Sequence, residues 1–161
     1  MKTTATNFFK LGVFKKACAM YQKIVSHFTL KEVLKPNELD DEQSEIYKNV
    51  FAELEALHLT VLTNVCVCKA KLADWKAVVN STAKAFELNS DHPKALFLLG
   101  RAHLNMQDYA EAISVLERLL GVDPQNQDAR KELTVAKRLL KQHEDKEAKI
   151  YSNLFSYFLG E

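Results

Sequence analysis

Residues 93–124, PKALFLLGRAHLNMQDYAEAISVLERLLGVDP, decide the architecture of this 161-residue chain. Their apolar residues recur at helical spacing and read as two amphipathic helices of about a dozen residues each, broken at Gln107-Asp108. Small residues stand at Gly100 and Ala112, and large ones at Leu96, Leu99, Tyr109, Ile113 and Leu116. Where two helices cross, a missing side chain lets the backbones approach. Asp123-Pro124 then closes the second helix.

Alignment on Gln107-Asp108-Tyr109 and Ala112 finds the same unit twice more. The middle copy runs from about Leu59 to Ser90, with Ala73-Asp74-Trp75 at its turn and Ala85 near its end. Cys66 stands where Gly100 does, and Val78 where Ala112 does. The first copy runs from Lys2 to about Phe28, with Leu11-Gly12-Val13-Phe14 at the turn and Ala17 after it. A repeated helix-turn-helix unit of about 34 residues resembles the tetratricopeptide (TPR) repeat. One such pair cannot cover its own apolar face, but stacked neighbours can.

The expected fold is therefore all-α: three TPR pairs in a right-handed superhelical stack with a long C-terminal helix. The repeats fill residues 1–124, at about 2–28, 41–90 and 93–124, with a loop at 30–40 around Lys35-Pro36-Asn37. Asp40-Asp41-Glu42 suits a helix N-terminus, and the helix it starts is expected to reach Lys71. Residues 125–161 form a charged capping and extension helix. Its apolar positions are Leu133, Ala136 and Leu140, then Ile150, Tyr151, Leu154, Phe155 and Phe158.

Composition supports this class and excludes others. Hydrophobic residues make up 47% and charged ones 27%, with only four Gly and three Pro to interrupt helices. A net charge of +1 gives no argument for nucleic acid or a membrane surface as partner. The apolar stretches are expected to fall short of a membrane span. Three cysteines, Cys18, Cys66 and Cys68, point to a reducing compartment. Cytoplasmic localisation is expected, with the nucleus as a second location. Cys66 and Cys68 point about 200° apart on a helix, so they read as core thiols, not metal ligands. Five histidines are scattered, and no Gly-rich phosphate loop, nucleophile elbow or HExxH occurs. No catalytic residue, metal or cofactor is expected.

The stretch KTTATNFFKLGVFKKACAMYQKIVSHF, residues 2–28, resembles the first TPR repeat of the FKBP-type immunophilins. The ending Lys146-Glu147-Ala148-Lys149-Ile150-Tyr151-Ser152-Asn153-Leu154-Phe155 is similar to that family's closing segment. The resemblance implies a prolyl isomerase domain upstream, to which nothing in these residues corresponds. The chain is thus expected to be a C-terminal fragment without isomerase activity of its own.

The resemblance also implies a co-chaperone that binds the C-terminal Met-Glu-Glu-Val-Asp of the 90-kDa heat-shock protein. In that family a clamp of five polar residues holds the terminal carboxylates. By alignment the clamp positions fall on Lys2, Thr6, Asn64, Lys94 and Leu98, with leucine in place of the arginine. Arg101, three residues on and on nearly the same helix face, is the candidate substitute. The expected peptide-binding set is Lys2, Thr6, Asn64, Lys94 and Arg101 in a monomer. Two alternatives keep the fold and change the partner. The basic residues of the C-terminal helix, among them Arg130, Lys137 and Lys141, are compatible with calmodulin. Tyr151, Phe155, Tyr157 and Phe158 are compatible with self-association.

Overall fold

The computed structural model describes the backbone of residues 1–27 and 41–159, and the side chains of 1–27, 48–155, 157 and 158. Among the described residues there are seven helices and no strand: α1 (Lys2–Lys10), α2 (Phe14–Val25), α3 (Asp41–Lys71), α4 (Trp75–Leu88), α5 (Pro93–Met106), α6 (Tyr109–Val122) and α7 (Gln127–Leu159). The all-α stack read from the sequence is the observed architecture. The expected loop at 30–40 lies outside the described residues.

Each helix packs on its chain neighbours, and α3 also reaches α5 while α7 reaches α5 beyond α6. The result is a run of helix pairs, α1–α2, α3–α4 and α5–α6, closed by α7. Helix α3 is the hub. Val61, Val65 and Cys68 join Ala5, Ala17, Cys18 and Tyr21 of the first pair. Cys66 turns the other way, into a cluster with Val78, Leu98 and Ala102. The two thiols thus serve different interfaces, as opposed directions on a helix require. Burial raises all three cysteines, Cys66 to about 11 and Cys68 to about 12, so they stay protonated core residues.

The three intra-pair turns share one backbone solution. Gly12, Ala73 and Gln107 each stand two residues before the next helix, and each has positive φ, at 73°, 56° and 68°. Only the first turn uses glycine, for which this region carries no Cβ penalty. Helix starts are capped locally: Asp74 accepts from the Ala77 N–H at 3.2 Å, and Asn126 from the Ala129 N–H at 3.0 Å.

The close crossing expected at Gly100 is present, with Leu116 as the partner. A Cβ at Gly100 would lie 2.8 Å from both Cγ and Cδ2 of Leu116, a fully buried side chain. The expectation that apolar stretches fall short of a membrane span is corrected by α3. Its segment Lys48–Lys71 is long and apolar enough to cross one, by length and composition alone. Only 28% of its most apolar window is buried, and the buried residues lie in its second half, against the helices on either side.

Helix α7 divides at about its midpoint. Ala129 and Ala136 are fully buried and Leu133 packs beside them, so the first half covers the last repeat. From Lys141 onward the described side chains are exposed.

Opposite effects are expected from two glycine exchanges. Gly100→Ala should destabilise the fold by about 1–2 kcal/mol, because overpacking against Leu116 outweighs the gain in helix propensity. Ala73→Gly or Gln107→Gly should stabilise it by about 0.5–1 kcal/mol by relieving the left-handed residue. Urea denaturation of each variant measures both.

Candidate functional site

Packing on α3 uses nearly all of its circumference in the second half. Val61, Leu62, Thr63, Val65, Cys66 and Cys68 are buried, and Asn64 stands in the partly open gap among them. A polar side chain there can only face the groove between the first helices of successive pairs. Lys94, in the first turn of α5, meets it: Lys94 Nζ donates to Asn64 Oδ1 at 3.3 Å. Among the described residues the Asn64 Nδ2 group has no hydrogen-bond partner, leaving amide donors beside an exposed ammonium.

On α1, Lys2 is exposed and Thr6 lies one turn further on. The Thr6 hydroxyl donates to the Lys2 carbonyl at 3.0 Å and lies 2.9 Å from the hydroxyl of Tyr21. Tyr21 is only 3% exposed, so Thr6 satisfies a buried phenol and fixes α1 on α2. Lys2 is carried on that same first turn.

The remaining two positions, Leu98 and Arg101, differ in exposure and in partners. Leu98 is 6% exposed and packs with Cys66, Val78 and Ala102, so it presents little surface to a ligand. Arg101 is accessible and turns toward α7. Its Nε lies 3.4 Å from Glu132 Oε1, and its guanidinium sits 5.8 Å from the centre of the Phe97 ring. Asn64 and Lys94 are therefore in direct contact, Lys2 and Thr6 form a second group on α1, and Arg101 is held by a carboxylate of α7.

Phe97 is the residue that sequence reasoning passed over. It lines two shallow clefts between α5 and α7, of about 320 Å³ beside Pro93 and Lys94 and about 410 Å³ beside Arg101 and Glu132. The signal was available: positions 94, 97 and 101 share one helix face. Their common facing element, α7, was the missing information.

Local geometry fixes where Lys94 starts. His92 is the N-cap of α5, its Nδ1 accepting from the Ala95 N–H at 3.3 Å, with Pro93 at the first helical position. Burial, and then the Lys94 charge, lower the His92 pKa below its ordinary 6.5.

Helix pairs stacked through a hub, with small residues at crossings and a polar groove along the first helices, define a tetratricopeptide-repeat array. Such an array is a protein-interaction fold. Residues 73–133 match the tetratricopeptide repeat family. Over 155 residues, 96% of its length, the chain is 32% identical to the peptidyl-prolyl cis-trans isomerase FKBP4 of Bos taurus, of which it covers 31%. The resemblance to FKBP-type immunophilins thus extends along nearly the whole chain, which spans about a third of the curated relatives it matches. The C-terminal TPR-containing domain of an FK506-binding protein of Plasmodium falciparum superposes with a TM-score of 0.72 at 21% identity, covering 89% of this chain and 88% of that one. The first TPR domain of Spaghetti (RPAP3), solved with the HSP90 peptide SRMEEVD, gives 0.65 at 21% identity, covering 87% and 90%.

Protonation of His92 removes its capping acceptor. The folded chain favours the neutral ring, so this contribution is fully present above pH 6.5 and is lost as pH falls through the lowered folded-state value. His92→Asn keeps a capping acceptor that does not titrate. The melting temperature of the parent should fall relative to that of His92→Asn as pH falls from about 7.5 to about 5; parallel curves would show that the cap is not the titrating element.

Proposed function

We propose that this chain binds the acidic C-terminal peptide of the 90-kDa heat-shock protein in the groove along α1, α3 and α5. The observation that carries the reading is the contact between Lys94 and Asn64. An ammonium and an amide from adjacent repeats converge where a chain terminus, with two carboxylates on one residue, can accept from both. Lys2 adds a second cation from α1, and Thr6 positions that turn through Tyr21. The FKBP-type likeness and the fold shared with a TPR domain that holds SRMEEVD support the same partner.

Arg101 supplies the cation that Leu98 lacks. It does so in competition with Glu132, a partly exposed ion pair worth on the order of 1 kcal/mol. The protein acts as a co-chaperone module of the cytoplasm, and of the nucleus where its partner is present.

The exposed end of α7 supports a second contact, since Ile150, Tyr151, Leu154, Phe155, Tyr157 and Phe158 are all open to solvent. Calmodulin and a second copy of the chain are the two occupants, and a calcium-dependent pull-down and sedimentation analysis separate them. In the absence of such partners the chain is a monomer.

Calorimetric titration with Met-Glu-Glu-Val-Asp should show binding that amidation of the peptide C-terminus abolishes. Lys94→Ala should weaken it about ten- to a hundredfold, the worth of one charge-assisted hydrogen bond. Arg101→Ala should weaken it, while Glu132→Gln should strengthen it up to about fivefold. Equal affinity for the free and amidated peptides would refute carboxylate recognition; no change on Arg101→Ala would remove Arg101 from the site.

A further inference from the structure

A second cavity lies between α2 and α4 where both rest on α3, and it shares no residue with the groove. Its volume is about 360 Å³, within the range of small-molecule sites. Val25, Leu62 and Val65 line it with apolar surface, while Lys69, Ser81 and Lys84 bring polar groups from α3 and α4. No carboxylate is among the lining residues.

Lys69 is the informative member. It is half-buried, and its Nζ donates to Ser81 Oγ at 2.6 Å and to the Ala77 carbonyl at 3.4 Å. Both partners are neutral, and neither Lys69 nor Lys84 pairs with a carboxylate among the described residues. A partly desolvated ammonium without a counter-charge is costly, and a bound anion offsets that cost. Ser26, at the end of α2, stands on the opposite wall with Gln22.

We propose that this cavity is a binding site for a phosphate monoester carried on a short apolar stem. Lys69 and Lys84 take the anionic oxygens, the side-chain amides of Gln22 and Asn80 complete their hydrogen bonding, and the stem lies on Val25, Leu62 and Val65. Two cations converging on one cavity favour the near-dianionic phosphate over a singly charged carboxylate.

The test is titration of the 15N-labelled full chain with hexyl phosphate, followed by amide chemical shifts. Saturable shifts at Ser26, Leu62, Lys69 and Ser81 are expected. Lys69→Gln should weaken binding about tenfold or more, and the exposed Lys84→Gln about threefold or more. Spectra that match the parent chain away from the cavity show that each variant is folded, and Lys84→Gln carries the test if Lys69→Gln is not. Equal affinity for hexanol would overturn the proposal, as would shifts confined to the surroundings of Asn64 and Lys94. Unchanged affinity in a folded lysine variant would overturn it too. Lys94→Ala, which disables the groove, should leave this titration unchanged.

Discussion

Helix α3 must satisfy apolar neighbours on two sides at once, and the rest of the molecule is arranged around that requirement. Its valines at 61 and 65 and Cys68 close the first pair, while Cys66 closes onto Val78 and Leu98. Leu62 faces a third group, with Ala85 and Ala95. Each of these contacts removes apolar surface from water at roughly 25 cal/mol per Å². Together they hold the rotation of α3 about its axis. Once that rotation is set, Asn64 has one direction left.

The groove is thus a by-product of packing, and its chemistry depends on what the hub leaves over. Lys94 reaches Asn64 because Pro93 and the His92 cap fix the first turn of α5, and Ala95 and Leu96 are buried immediately after it. Thr6 stands in the same relation to α1, since its hydroxyl is committed to the Tyr21 phenol. Arg101 is the exception: its direction is set by Glu132, not by packing.

The fold class was legible because the repeat carries its own phase. Ala73 and Gln107, like Trp75 and Tyr109, recur at one repeat length, and apolar periodicity supplies the helices between them. Left-handed backbone at Ala73 and Gln107 was not legible, since only Gly12 advertises it by residue type. The membrane-like length of Lys48–Lys71 was underestimated because α3 runs on before the repeat begins, and its apolar residues continue through that exposed extension into the buried second half. At the site, the positions of Lys2, Thr6, Asn64, Lys94 and Leu98 came from family resemblance. What the sequence could not carry were partners distant along the chain: Glu132 for Arg101, Asn64 for Lys94, and Tyr21 for Thr6. Each pairing depends on how neighbouring helices are rotated, which periodicity alone does not specify.

Helix α7 shows how the array ends. A stacked repeat needs a last element that is apolar toward the stack and polar outward. Residues 127–140 meet that need: Ala129 and Ala136 bring the helix close to α6, and Lys137 pairs with Glu117 across the seam at 2.7 Å. The helix continues for five further turns or so with no stack to cover. Aromatic side chains on an uncovered helix cost solubility without adding to the core. Their presence beyond the point where capping is complete is the basis of the second contact proposed above, separate from the groove. That separation matters for the whole molecule, because the groove and the helix end can be occupied independently. Arg101 and Glu132 link the groove to α7, and Lys94 and Phe97 border a further cleft against the same helix.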